Sequence, residues 1–114
     1  MSCAITRAIS IRQPYAEQIL RARKKWEYRS VNTTLVGERV WIYASSRPAR
    51  DLRAWLSIGN DAELPLGIIV GSVVIAAVKK RGDGDYAYKL ADPRRCRPKA
   101  PTNQPQPLFW RPQF

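Results

Sequence analysis

Residues 22–30, Ala-Arg-Lys-Lys-Trp-Glu-Tyr-Arg-Ser, place four basic side chains, one carboxylate and two aromatic rings in nine positions. Three of these side chains could do chemistry together. Lys24 and Arg29 suit a phosphate, Lys as a compact charge and Arg as a two-pronged donor. Glu27, between them, does not suit a phosphate. It suits the donors of a base edge, such as an exocyclic amino group, or a proton-transfer role. Gln13 donates and accepts, which also fits a base edge. Tyr15, Trp26 and Trp110 offer ring faces for stacking, worth roughly 1–3 kcal/mol per base where it occurs. Ser10, Ser45 and Ser46 stand at strand ends where they could line the same cleft, and Arg12 joins them as a ligand-binding candidate. A plainer arrangement uses the same residues. Glu27 can be an ion-pair anchor for Lys24 and Arg29, and Trp26, Trp41 and Trp55 suit a core better than a ligand platform.

The elements that must position these groups follow from periodicity. Ala8 to Ile11 alternates as a short strand with Ile9 and Ile11 inward. Arg12-Gln13 turns the chain, and Pro14 suits the first position of a helix because no amide partner is needed there. Ala16, Ile19, Leu20 and Arg23 share a helix face, with Glu17, Gln18 and Arg21 outward; the helix should end between Ala22 and Lys24. Trp26 to Ser30 alternates as a second strand, Trp26 and Tyr28 on a packed face, Glu27 and Arg29 on the open one. Arg39 to Ser45 is a third strand with bulk on both faces. Pro48 opens a second helix, capped by Ser46 or Arg47, with Leu52, Trp55 and Leu56 as its apolar stripe and Gly59-Asn60-Asp61 at its end. Ile68 to Val78 is a central strand in which Gly71 marks a bulge or a close backbone approach. A charged turn at residues 79–85 leads to a strand from Tyr86 to Leu90 that stops at Asp92-Pro93. Pro98 to Pro107 holds four prolines and reads as an extended connector. Leu108-Phe109-Trp110 then returns as a closing strand.

Composition bounds the partners. Twenty Lys+Arg against nine Asp+Glu give a net charge of +11 on 114 residues. The length fits one domain over residues 1–114. The charge favours a polyanion, nucleic acid before an anionic membrane surface; a general solubility charge is the unspecific alternative. Histidine is absent, which removes the usual general base near neutral pH and the commonest metal ligand. Cys3 and Cys96 form no CxxC pair, so no metal site or cofactor is expected, although a disulfide between them stays open. The start of the chain carries no signal-peptide pattern, and the longest apolar run, within 68–78, is too short for a membrane helix. A cytoplasmic protein is the expectation, with no membrane partner.

The pattern Gly-x-Lys-x-x-Glu-x-Arg, preceded by a strand and a Gln-Pro-aromatic-Ala helix start, resembles the ASCH domain family of the PUA-like superfamily. Lys24, Glu27 and Arg29 stand at the motif's Lys, Glu and Arg, and Ser10 to Ala16 resembles the family's opening. Val40 to Ser45, Leu64 to Gly71 and the closing aromatic strand also resemble it, in the right order. Ala22 departs from the motif, where the family has Gly. A left-handed residue there would cost Ala roughly 1 kcal/mol, so the helix is expected to run on and turn differently. The resemblance implies an α+β fold, a PUA-like mixed β-barrel of about five to six strands flanked by two or more short helices. It also implies nucleic-acid ligands, RNA favoured. The leading expectation is an RNA- or nucleotide-binding module with a cleft at the junction of the first helix and second strand. A metal-independent ribonuclease or nucleoside-processing hydrolase, with Lys24, Glu27 and Arg29 catalytic, is the alternative. Members that hydrolyse N4-acetylcytidine use a Thr where this chain has Glu27, and an acid from the central strand; this chain has neither. A third reading is a protein-interaction adaptor that presents the Pro-rich segment.

Overall fold

A computed structural model describes residues 4–59 and 63–114. Eight elements follow in order: β1 (Ala8–Ile11), α1 (Tyr15–Leu20), β2 (Trp26–Arg29), β3 (Arg39–Ala44), α2 (Leu52–Ile58), β4 (Ile68–Gly82), β5 (Asp85–Lys99) and β6 (Phe109–Trp110). The strands form one mixed sheet in the order β2-β5-β4-β3-β1-β6. Among the described residues only β1 and β3 pair in parallel; the other ladders are antiparallel. Six strands in one mixed sheet with two helices match the expected α+β class. The ladder leaves β2 and β6 as edges. The sheet curls enough for the Arg29 side chain on β2 to reach the Ser10 carbonyl on β1, at 2.7 Å.

The core lies between the curled sheet and α1. Ile9, Ile11, Ala16, Ile19, Val40, Ile42, Val73, Ile75 and Tyr88 are almost fully buried, as the alternation in β1 and β3 and the stripe of α1 require. A second cluster joins Ala8, Tyr43, Ile69 and Trp110. Gly71 is the close approach anticipated from sequence. A Cβ there would lie 2.5 Å from Leu20 Cδ2 and would overlap the Arg94 carbonyl, and the β4 ladder shifts register on both sides.

Several boundaries differ from expectation. The long hairpin is the largest correction. β4 runs on to Gly82, and the turn is only Asp83-Gly84, with Gly84 at φ 65°. β5 does not stop at Asp92-Pro93. Ser72 pairs with Arg94 and Val74 with Ala91, so Asp92 and Pro93 stand together opposite Val73 as a bulge, with Asp92 at φ 50°. A bulged residue has no ladder bond to make, so proline is tolerated there. The basic run at 94–99 is therefore strand as far as Lys99. Beyond it the connector is pinned, because Thr102 and Asn103 hydrogen-bond Gln113 and Arg111.

The helices are shorter than expected. Pro14 stands at the cap position of α1, not inside it. α2 starts at Leu52, not Pro48, because Asp51 caps it by accepting from the Ala54 amide at 3.1 Å. It buries Ala54 and Ile58, and leaves Leu52 and Leu56 exposed. Asn60 and Asp61, expected at its end, lie outside the described residues, as does Cys3. Glu17, expected outward, is 5 % exposed. Extended β5 carries Arg95 over α1, where its guanidinium donates to both Glu17 oxygens at 2.9 and 3.0 Å; Arg21 adds a third bond at 2.7 Å. These bonds, Arg95 first, hold the Glu17 carboxyl below its usual range against the opposing effect of burial. No helix among the described residues is long and apolar enough to cross a membrane.

Candidate nucleic-acid interface

α1 ends in a left-handed turn. The Ala22 amide donates to the Ile19 carbonyl and the Arg23 amide to the Gln18 carbonyl, with Ala22 at φ 58°. This is the paired bonding of a Schellman motif, whose left-handed position normally takes glycine. The expectation that the helix would run past Ala22 is thus corrected: the turn survives, and alanine bears its strain. The turn reverses the chain, the Lys24 amide also reaches the Gln18 carbonyl at 3.2 Å, and β2 begins at Trp26.

Lys24, Glu27 and Arg29 meet as the motif suggests. Glu27 Oε2 accepts from Arg29 Nε and Nη2 at 3.0 and 2.8 Å, while Oε1 stands 3.5 Å from Lys24 Nζ. Arg29 Nη2 also donates to the Ser10 carbonyl. Arg29 thereby directs Nε and Nη2 to its own protein, the ion-pair arrangement that the sequence also allowed. Lys24 is held more loosely. Its ammonium lies 5.6 Å from the Tyr15 ring centre and 5.4 Å from that of Tyr28, a placement that ring quadrupoles favour.

These groups border a cleft of about 390 Å³, lined by Ser10, Arg12, Tyr15, Lys24, Glu27 and Arg29 together with Ile11 and Tyr28. Six of the ten anticipated ligand-binding residues therefore share one cavity. Tyr28 was expected to pack. It is 51 % exposed, because β2 is an edge strand, and only the Lys24 and Arg81 cations stand over its ring among the described residues. Tyr15 is oriented from α2: its hydroxyl donates to Asp51 Oδ2 at 2.6 Å, the carboxylate that also caps the helix. That bond raises the phenol's pKa and lowers that of Asp51. Asp51 escaped the sequence reading. Its cap signal, an Asp just before the Leu52 stripe, was present but was outweighed by Pro48.

Four anticipated residues lie elsewhere. Gln13 is 1 % exposed, and its amide is used internally, accepting from the Glu17 amide and donating to the Pro65 carbonyl. Trp110 is buried edge-on against Tyr43, and its indole donates to Ser10 Oγ at 3.2 Å, so it supports the cleft wall without offering a stacking face. Ser45 is half-buried beyond the end of β3. Ser46 borders a neighbouring groove of about 670 Å³ with Arg12, Arg47 and Arg50. Trp26 is half-buried, Trp41 lies under Lys99, and Trp55 bonds the Ala49 carbonyl.

No curated protein matches the chain. Among solved structures, a crystal structure of the S128A mutant of the ZmASCH protein from Zymomonas mobilis is similar in fold, with a TM-score of 0.63 at 17% identity, over 92% of this chain and 86% of that one. The ASCH domain model matches residues 9–95, which run from Ile9 in β1 through the cleft motif to Arg95 in β5. The chain belongs to the ASCH domain family.

Proposed function

We propose that the protein is an RNA- or nucleotide-binding module that takes a base into the Lys24/Glu27 cleft. The observation that carries this reading is the pairing of a loosely held cation with a carboxylate oxygen between two tyrosine rings. A bare phosphate site would not hold Glu27. A base edge offers donors to the carboxylate, a flanking phosphate offers charge to Lys24, and Tyr28 presents an exposed ring. The net charge of +11 supports an anionic ligand.

The test is fluorescence anisotropy of end-labelled, single-stranded RNA titrated with the protein across a range of KCl concentrations. Lys24→Ala should weaken binding about 5- to 30-fold and reduce the salt slope by about 0.7. Lys80→Ala should change little, since Lys80 is exposed near Asp83, outside the cleft. Equal effects of the two substitutions would overturn the cleft reading. Electrophoresis of the same RNA after incubation separates binding from the ribonuclease alternative: full-length recovery is expected.

A further inference from the structure

Three depressions are linked in series by the residues that line them. The groove of about 670 Å³ carries Arg12, Arg47 and Arg50. The cleft of about 390 Å³ shares Arg12 with it and ends at Tyr28. A third depression, of about 160 Å³, shares Tyr28 with the cleft and carries Trp26, Lys79 and Arg81. The two shared residues, Arg12 and Tyr28, are exposed, and each lines both of its hollows. The groove holds three arginines and no carboxylate in its lining, and none of the three is in an ion pair among the described residues. At the other end the Arg81 guanidinium lies 4.7 Å from the Tyr28 ring centre, on an exposed aromatic surface.

From this juxtaposition we infer that the cleft is the middle of a continuous track for single-stranded nucleic acid, with a phosphate-holding groove on one side and an aromatic–cationic exit on the other. The inference rests on the cleft reading above and specifies its ligand as an oligonucleotide of about three nucleotides or more. A mononucleotide would fill the cleft and leave the flanking cations unneutralised. A duplex is the wrong shape: its bases are paired and stacked, and the cleft can admit one only when it is splayed out. Alternation along β4 supports a dedicated wall. Lys79 and Arg81, two residues apart, line the third depression, whereas Lys80 between them does not; Arg81 also stands 3.5 Å from Asp85 in an exposed pair, the weak kind that a phosphate can displace. Lys24, Arg12, Arg47, Arg50, Lys79 and Arg81 together would give a salt slope near −4 for single strands, at about −0.7 per neutralised phosphate.

The experiment compares binding of the four ribonucleoside monophosphates, a mixed-sequence single-stranded RNA nonamer and the same nonamer annealed to its complement. The proteins are the wild type, Arg47→Ala/Arg50→Ala, Lys79→Ala/Arg81→Ala and Lys24→Ala. The track predicts that the nonamer binds at least about 100-fold more tightly than any monophosphate. Each flank variant should weaken the nonamer about tenfold and reduce its salt slope by 1 to 1.5, with monophosphate binding unchanged. The duplex should compete poorly. A nonamer that binds no better than a monophosphate, flank variants without effect, or a duplex that competes equally would overturn the track. If Lys24→Ala weakens monophosphates while the flanks are silent, only the track falls. If Lys24→Ala alters neither ligand, the cleft reading falls and takes the track with it. Circular dichroism on each variant checks that these substitutions leave the fold intact.

Discussion

Exchanging Glu27 for Gln separates recognition of a base from recognition of a phosphate, because the two should respond with opposite sign. The carboxylate side chain is 12% exposed, bonded twice to Arg29 through one oxygen and 3.5 Å from Lys24 through the other. Gln keeps the shape and one acceptor but removes the negative charge. For a phosphate held at ~6 Å, that removes a repulsion of about 0.7–3 kcal/mol at an effective dielectric constant of ~80 to ~20, or roughly 3- to 100-fold tighter binding. A nucleoside without phosphate loses a hydrogen bond to a charged acceptor, about 1.5–3 kcal/mol, or roughly 10- to 150-fold weaker binding. Loosening Arg29 should also lower stability by about 1–3 kcal/mol, although the Ser10 carbonyl still accepts from it. NMR chemical-shift titration with inorganic phosphate and, separately, with each of the four ribonucleosides reads both effects. A thermal melt confirms that the variant is folded at the titration temperature. Unchanged nucleoside binding in Glu27→Gln would refute the base-reading role and leave Glu27 as an anchor for Arg29. Weaker phosphate binding would refute the electrostatic part of the argument.

Two further outcomes concern the frame around the cleft. Ala22→Gly relieves a left-handed alanine, at some cost in unfolded-chain entropy. Urea denaturation should show a net gain of roughly 0.5–1 kcal/mol, and no gain would mean the turn is not strained. Glu17 has a folded-state pKa below its ordinary 4.5, so the unfolded chain takes up the proton first as pH falls. The pair's stabilisation is therefore fully present above that value and fades as pH drops through the lowered one. Glu17→Gln should lower stability by about 1.5–3 kcal/mol at pH 7, and its deficit against the wild type should shrink below about pH 4; a constant deficit across pH would count against the pair.

What was legible in the sequence was what short-range pattern controls. Alternation located β1 and β3, and the motif brought Lys24, Glu27 and Arg29 together. Long-range facts were not legible. Glu17 follows the outward positions of a helical wheel, and only a partner 78 residues away makes it internal. Pro93 reads as a strand stop unless a bulge removes the need for its amide. Alternation assigned Tyr28 and Trp26 to one face correctly, but it cannot say that an edge strand leaves that face open. Trp110 carries an aromatic signal equally compatible with a ligand platform and with a core. Ala8, Tyr43 and Ile69 decide for the core, and they are distant in sequence.

The bond from Trp110 to Ser10 joins residues 100 positions apart, and that separation imposes an order of events. As the chain emerges from the ribosome, Lys24, Glu27 and Arg29 leave before the elements that frame them. The Arg95 clamp on α1 and the Trp110 buttress behind Ser10 arrive much later. Closing such long loops is slow relative to local helix and hairpin formation. The nascent chain therefore carries Lys24, Glu27 and Arg29 well before it owns a cleft, and the wall behind Ser10 is complete only when β6 has docked beside β1.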